Sequence, residues 1–335
     1  MQKIKNIEFL RIIGCLAIVF LHLFNKTLGK AFADVNLYQN LFNMTYNGQK
    51  AVDLFFILSG LFFAWKLNTK YGIWDFVKKK LIRLWPVMIF LLILTSILAI
   101  WGFYDFNPYD KILALVGLNG TGWILEKGSS YVGVFWYVSA MFWVLLLFYY
   151  LRKYFDKTKV DLFIAICVYF AYAFLLQAKG GRIGSADLNF YYIFNVGMLR
   201  AIGGIGLGYF IGDWYKNHEE KIKNVVCTVW QKLFITVIEF MCLYFIINNL
   251  MLHKIKYENN IIFIVTFVII IMLFLLNQGY ISRLLNNTKL GNVCEFCAKY
   301  TYSIYMTHFF VIHMLKRTLW KSNVEFVTSS PVLNL

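Results

Sequence analysis

The chain has 335 residues, of which 60% are hydrophobic and 15% are charged, and its formal net charge is +16. Soluble domains carry about 25% charged residues, so this composition excludes a soluble globular enzyme and predicts an integral membrane protein. The positive charge does not predict nucleic acid as a partner. Lys and Arg collect in the cytoplasmic loops of membrane proteins, where they face an anionic lipid leaflet.

Helices of about 20 mostly apolar residues can cross the hydrocarbon core of a bilayer. Nine such segments are predicted, at 7–25, 50–67, 84–103, 133–151, 159–177, 193–213, 229–250, 261–278 and 300–319. The expected fold class is therefore all-α, a polytopic transmembrane helical bundle that forms a single domain over residues 1–335. The apolar stretch 112–125 is shorter and is interrupted by glycines, which predicts a re-entrant or interfacial piece.

The distribution of Lys and Arg predicts the orientation of the bundle. If the N-terminus is cytoplasmic, the loops on that side hold most of these residues, as the positive-inside rule requires. A cleaved signal peptide is the competing interpretation, because Ala31-Phe32-Ala33 resembles a cleavage site behind an apolar stretch. It is disfavoured because His22 and Asn25 stand where that stretch should continue.

The first segment keeps ionisable side chains that are costly inside a membrane. Arg11 and His22 are eleven residues apart, close to three helical turns, so they share one face and lie about 16 Å apart along the axis. Glu8 shares that face. This polar stripe predicts a functional site. The structural alternative is that Arg11 snorkels to the headgroups beside Glu8 and that His22 hydrogen-bonds a neighbouring helix.

The second segment adds two candidates. Asp53 opens it at the predicted level of His22, where a carboxylate can orient an imidazole that acts as a general base. Ser59 precedes Gly60 in the same segment. A Ser-Gly pair more often serves close packing than nucleophilic catalysis, and both interpretations are kept.

The third and fourth segments begin with polar or aromatic residues. Lys79, Lys80 and Arg83, called the basic segment below, are either a topology anchor or a binding site for phosphate groups. Trp136 and Tyr137 lie at the predicted outer end of the fourth segment. Aromatic residues there commonly form an interfacial belt, and sugar stacking is the less favoured alternative.

Two short motifs are assigned to structure. Gly204, Gly208 and Gly212 have the small-x-x-x-small spacing that lets two helix backbones approach closely, which favours packing over a nucleotide loop. Cys294 and Cys297 form a lone C-x-x-C without a second pair at metal spacing, so no metal is predicted.

Five motifs follow one another along the chain and together resemble a known family. They are Arg11-x10-His22 with Glu8, D-L-F-F-I-L-S-G from Asp53, K-K-K-L-I-R-L-W-P from Lys78, W-Y-V-S from Trp136, and Y-S-I-Y-M-T-H-F from Tyr302. In this order they look like the membrane-bound acyltransferase 3 family. The similarity runs from about residue 5 to about residue 315, and His308 in the last motif is a further candidate for the site.

The resemblance implies a multi-pass enzyme of the bacterial inner membrane that transfers an acyl group, commonly acetyl, to a carbohydrate of the cell envelope. The donor it implies is acyl-CoA, a co-substrate rather than a permanently bound cofactor. The acceptor it implies is an envelope glycan or a lipid-linked sugar. Arg11 and His22 match the pair that is regarded as essential in the family.

Two departures from the family pattern affect these expectations. The family normally has two Arg residues where this chain has Lys79 and Lys80, and Lys lacks the bidentate fork with which Arg binds phosphate. Family members also usually have ten spans, with another helix after the S-I-Y-x-x-H segment. A domain without this last helix is therefore expected, and its loss would impair activity.

The expected mechanism joins these residues. The CoA phosphates meet the basic segment with Arg11 nearby, and His22 takes the proton of a sugar hydroxyl that attacks the thioester while Asp53 orients the ring. The competing hypothesis is a polysaccharide exporter or flippase, whose polar stripe lines a path. The two differ in whether acyl-CoA is consumed.

Overall fold

The structure is a computed structural model that describes residues 4–24, 45–101, 107–119, 121, 134–178, 189–190, 194–252 and 261–322. The first helices are α1 (Lys5–His22), a 3₁₀ turn (Tyr46–Lys50), α2 (Ala51–Trp65), α3 (Ile73–Ile100), α4 (Pro108–Leu115) and α5 (Phe135–Tyr154). The later ones are α6 (Lys157–Ala178), α7 (Val196–Lys223), α8 (Val229–Ile247), a π-helical turn (Asn248–Leu252), α9 (Ile261–Leu276), α10 (Tyr280–Asn287), α11 (Lys289–Ala298) and α12 (Thr301–Ser322). Between α6 and α7, the two-residue strands β1 (Asn189–Phe190) and β2 (Phe194–Asn195) pair antiparallel.

Each of the nine predicted segments overlaps a helix in the described part of the chain, which confirms the all-α prediction. In the described part of the chain, four helices are long and apolar enough to cross a membrane: α3, α5, α6, and α8 with its π-helical turn. The pair α9 and α10 adds a fifth crossing if the 63° bend between them lies within one span. This is fewer than the nine crossings expected. The nine crossings and the cytoplasmic N-terminus stay predictions.

Two of the helices that do not qualify as crossings, α1 and α2, fall short for identifiable reasons. The first turns of α1 carry Lys5, Glu8 and Arg11, which interrupt its apolar character. Helix α2 has only 15 residues, which at 1.5 Å per residue gives about 22 Å, less than the thickness of the hydrocarbon core. Both helices are nevertheless buried in the centre of the bundle, against other helices.

Helix α3 begins well before the predicted segment at 84–103. The backbone N–H of Gly72 donates to Oδ2 of Asp75 at 3.0 Å, and this cap starts the helix. The basic segment is therefore helical, which a search for apolar runs cannot reveal. Lys79 and Arg83, four residues apart, share one face of α3.

Helices α2 and α7 pack with their backbones in contact. A Cβ atom at Gly60 would overlap the carbonyl oxygen of Ile205, and one at Gly208 would overlap the carbonyl oxygen of Ile57. Gly212 meets the backbone of α2 in the same way. The packing role predicted for the glycine motif is confirmed, and Gly60 of the Ser-Gly pair belongs to the same contact.

The predicted re-entrant stretch 112–125 is described only in its first part. Pro108 follows Asn107, whose side chain caps the N-terminus of α4. After the helix, the carbonyl oxygen of Gly117, which has a φ of 72°, accepts a hydrogen bond from Trp143 Nε1 at 2.8 Å. Residues 122–125 and the Ala31-Phe32-Ala33 motif lie outside the described residues.

Candidate active site

A partly enclosed cavity of about 760 Å³ lies among α1, α2, α3, α5, α11 and α12. Six cationic side chains line it, and they come from distant parts of the chain: Arg11, Lys66, Lys79, Lys80, Arg83 and Lys299. Two carboxylates, those of Glu8 and Glu295, also line the cavity. The cavity therefore has an excess of positive charge, and the structure brings Arg11 and the basic segment together as the sequence predicted.

Arg11 holds a defined position in the wall of the cavity. Its Nη1 donates to Oε2 of Glu8 at 2.6 Å, and its Nη2 donates to Oγ1 of Thr301 at 3.2 Å. The side chain is 20% exposed. Arg11 is thus fixed between α1 and the start of α12, with part of its guanidinium surface open to the cavity.

Aromatic rings position the lysines of the basic segment. Lys79 Nζ lies 3.6 Å from the centroid of the Tyr71 ring, and Lys80 Nζ lies 5.4 Å from that of Phe76. The Phe76 ring stacks on Tyr149 at a centroid distance of 4.3 Å. The Tyr149 hydroxyl donates to the carbonyl oxygen of Tyr71 at 2.9 Å, so the chain between α2 and α3 is held against α5.

The inner end of the cavity is formed by hydroxyl-bearing side chains. Ser59 Oγ lies 3.3 Å from the Tyr137 hydroxyl and donates to Sδ of Met141 at 3.3 Å. The ring of Tyr137 contacts that of Tyr305 at 5.3 Å. The described neighbours of Ser59 include no imidazole or carboxylate, so these contacts do not supply the base that a serine nucleophile needs.

Two histidines lie behind Tyr305. The ring of His308 is 5.7 Å from that of Tyr305, and the ring of His22 is 5.2 Å from that of His308 with a tilt of 36° between the planes. Cys15 Sγ donates to the carbonyl oxygen of Thr301 at 3.6 Å, so α1 and α12 run side by side in the same direction. The structure therefore brings His22 and His308 together.

Asp53 has a different neighbour from the one predicted. Its Oδ1 accepts from Arg200 Nε at 2.9 Å and its Oδ2 from Arg200 Nη2 at 3.0 Å. The two side chains are 3% and 2% exposed. Arg200 also donates to the carbonyl oxygen of Gln49 at 3.1 Å. Both carboxylate oxygens of Asp53 are thus engaged by Arg200, and the orientation of His22 by Asp53 stays a prediction.

Comparison with known proteins decides the family. The family model of the acyltransferase 3 domain, described as an acyltransferase domain, matches residues 4–334. The chain belongs to the acyltransferase 3 family. No curated protein and no solved structure gives a significant match to the chain. With its apolar helices, the chain is a multi-pass membrane acyltransferase.

The sequence did not identify Arg200 as the partner of Asp53 in this acyltransferase. The only signal was an Arg inside an apolar segment, and such residues are usually paired within the bundle. Trp136, predicted to belong to an interfacial belt, packs on this pair, with its ring centroid 5.6 Å from Arg200 Cζ. Its ring also lies 6.1 Å from that of Phe56.

The C-x-x-C motif of the acyltransferase lies on α11, where Cys294 is buried and Cys297 is exposed. Within the described residues, no group of three His, Cys, Asp or Glu side chains could hold a metal ion.

Proposed function

We propose that this acyltransferase moves an acyl group, with acetyl as the expected one, from acyl-CoA to a hydroxyl of a cell-envelope carbohydrate, and that His22 is the general base. One observation carries the proposal. A single cavity extends from the basic segment to Tyr137 and Tyr305, and the ring of His308, the neighbour of His22, lies 5.7 Å from that of Tyr305. Such a cavity suits a long donor with an anionic end and a reactive end.

The charge of the cavity supports CoA as the carrier of the acyl group. CoA carries a diphosphate and a further phosphate group, and charge-assisted hydrogen bonds to phosphate are among the stronger polar contacts. Lys66 and Lys299 extend the basic segment around the cavity. A Lys contributes as a point charge, so several lysines together replace the Arg residues that are usual in the family.

The inner part of the cavity supports the path of the pantetheine arm. Phe55, Leu58 and Met141 line it beyond Arg11, and these side chains suit an arm that is largely uncharged. The axial distance from Arg11 to His22 is about 16 Å, a distance that this arm can span. The thioester would then lie close to Tyr137 and Tyr305.

The chemistry balances with His22 alone as the proton carrier. His22 takes the proton of the sugar hydroxyl while the hydroxyl oxygen bonds to the thioester carbonyl carbon. The carbon–sulfur bond then breaks, and the CoA thiolate receives the proton from the His22 imidazolium. A positioned general base contributes about 10²–10⁴-fold to such a rate.

The proposal places the protein in the bacterial inner membrane. With a cytoplasmic N-terminus, the basic end of the cavity faces the compartment that supplies acyl-CoA. The acceptor would be an envelope glycan or a lipid-linked sugar, which approaches the histidines from the other side of Tyr305.

Mass spectrometry of the envelope glycan tests this function in cells that produce the native chain, His22→Ala or His218→Ala. His218 is the matched control, because it lies on α7 outside the cavity lining and its Nδ1 is 2.9 Å from the carbonyl oxygen of Trp214. We expect the acyl mass with the native chain and with His218→Ala, and its loss with His22→Ala. Blotting of membranes verifies equal amounts of protein.

Other outcomes would contradict the proposal. Equal acylation by the native chain and His22→Ala would exclude His22 as the base. If the native chain adds no acyl mass but its deletion removes glycan from the cell surface, the exporter hypothesis would replace acyl transfer.

A further inference from the structure

The two ring nitrogens of His308 are in different environments. Nδ1 lies 2.5 Å from the carbonyl oxygen of Tyr305, and since a carbonyl oxygen only accepts, Nδ1 carries the hydrogen. In the neutral ring, Nε2 then holds the lone pair. Nε2 is buried and has no hydrogen-bond partner among the described residues, and His308 as a whole is 5% exposed.

An acceptor without a partner is unusual in a protein interior and calls for an explanation. Tyr305, the partner of Nδ1, is itself 5% exposed and fixed by a hydrogen bond from its hydroxyl to the carbonyl oxygen of Val134. The tautomer of His308 is therefore set by a rigid neighbour.

The ring next to this lone pair is that of His22. The two ring centroids are 5.2 Å apart. Imidazoles joined by an N–H···N bond of ordinary length have centroids about 5 Å apart, because each nitrogen lies about 1.1 Å from its centroid. Rotation of the His22 ring, without movement of the helices or of His308, can thus join His22 to Nε2 of His308.

We propose that His308 is a positioning residue for acyl transfer, and that its Nε2 accepts a hydrogen bond from the His22 imidazolium as this forms. The inference rests on the proposed function. A carboxylate usually holds a catalytic imidazole in this way. In this protein both oxygens of Asp53 are engaged by Arg200, and a neutral imidazole takes the carboxylate's place.

The proton balance leaves His308 uncharged throughout. One nitrogen of His22 receives the proton of the sugar hydroxyl, while the other N–H of His22 donates to Nε2 of His308. His308 keeps its own hydrogen on Nδ1, bonded to Tyr305. When the CoA thiolate takes the proton from His22, both rings return to their starting state.

Two amide substitutions separate the roles of the two nitrogens. His308→Asn keeps an N–H donor near the position of Nδ1 and removes Nε2. His308→Gln places an amide oxygen near the position of Nε2 and gives up the donor to Tyr305. Transfer of radiolabelled acetyl from acetyl-CoA to glycan is measured in membrane vesicles that contain each full-length variant and the acceptor glycan.

We expect kcat to fall about 10- to 100-fold for His308→Asn, because a hydrogen bond to a charged group in the transition state is lost. The KM for acetyl-CoA should not change. His308→Gln should stay within about 5-fold of the native rate. A native rate for His308→Asn, or a loss confined to His308→Gln, would overturn the inference.

If both variants lose activity, the effect of His308→Asn is measured again in a chain that also carries His22→Ala. A residue that acts through His22 has no effect once His22 is gone, so a further loss of the residual rate on adding His308→Asn would overturn the inference, and no further loss would support it. Failure of the proposed function and failure of the role of His308 give different results. A native chain that transfers no label overturns the proposed function, whereas an active native chain with an equally active His308→Asn overturns only the role of His308.

Discussion

Two helix pairs of this acyltransferase carry ionisable groups within the bundle, and they use them differently. Between α2 and α7, Asp53 and Arg200 form a bidentate pair beside helix backbones in contact at Gly208. Between α1 and α12, His22 and His308 lie behind Tyr305, which lines the cavity, and Nε2 of His308 has no described partner. A polar pair whose hydrogen-bonding groups are all occupied thus has a structural role. A lone pair without a described partner near a cavity instead points to a role in catalysis.

The membrane environment explains why both kinds of pair exist. The lipid tails are as apolar as the side chains, so helices associate through close packing and internal polar contacts rather than through the hydrophobic effect. Helices α2 and α7 use both means. Helices α1 and α12 both contribute to the wall of the cavity, with Arg11 and Thr301 among its lining residues.

The largest effect is expected from the removal of one charge from the saturated pair. Asp53→Asn leaves the guanidinium of Arg200 buried without a counter-charge, and such a loss lowers the free energy of unfolding by about 3–5 kcal/mol. Unfolding of the detergent-solubilised protein by denaturant titration measures it. Native stability of Asp53→Asn would show that Asp53 and Arg200 do not form a structural pair.

The double variant Asp53→Asn with Arg200→Gln sharpens the comparison, because it removes both charges. We expect it to recover most of the lost stability and, with it, acyl transfer. A stable double variant without activity would instead support the prediction from the sequence, that Asp53 orients His22.

The second largest effect on stability is expected at the backbone contact between α2 and α7. A Cβ at Gly208 overlaps the carbonyl oxygen of Ile57, so Gly208→Ala should lower the free energy of unfolding by roughly 1–3 kcal/mol. Gly14→Ala is the matched control, because its Cβ would lie 3.4 Å from the nearest atom, Cζ of Phe55. A similar stability for both variants, measured by thermal unfolding in detergent, would refute the close contact.

The smallest effect is expected in the cavity. Lys79→Ala removes one of several cations that face the donor, so the KM for acyl-CoA should rise about 2- to 5-fold, equivalent to roughly 0.5–1 kcal/mol, with kcat unchanged. Lys78→Ala is the control, since Lys78 is exposed and outside the cavity lining. Equal KM values for the two variants, from initial rates at varied acyl-CoA, would remove the basic segment from the donor site.

The sequence predicted those features that depend on local spacing. The helical segments and the packing role of Gly208 both follow from periodicity along one helix. The bond between Asp53 and Arg200 joins residues 147 positions apart, and no local pattern encodes such a contact. The sequence named both His22 and His308 as candidates for the site, but no local pattern places their two rings side by side.

The nine crossings stay a prediction, because apolar composition alone does not separate central helices from outer ones. Apolar stretches of similar composition include central helices such as α2, whose 15 residues are mostly buried, and outer helices such as α3, which exposes apolar side chains on the surface of the bundle. Hydropathy depends on the composition of a segment and not on the helices that pack against it, so central and outer helices give similar values.

The juxtaposition of α1 and α12 has a consequence for biogenesis. The ribosome adds His22 long before His308, because the two are 286 positions apart, and at about 5–20 residues per second this interval is on the order of tens of seconds. During that time the nascent chain contains His22 and the basic segment but not His308. The insertion of α12 therefore completes the two-histidine arrangement, and a chain that stalls earlier stays without it.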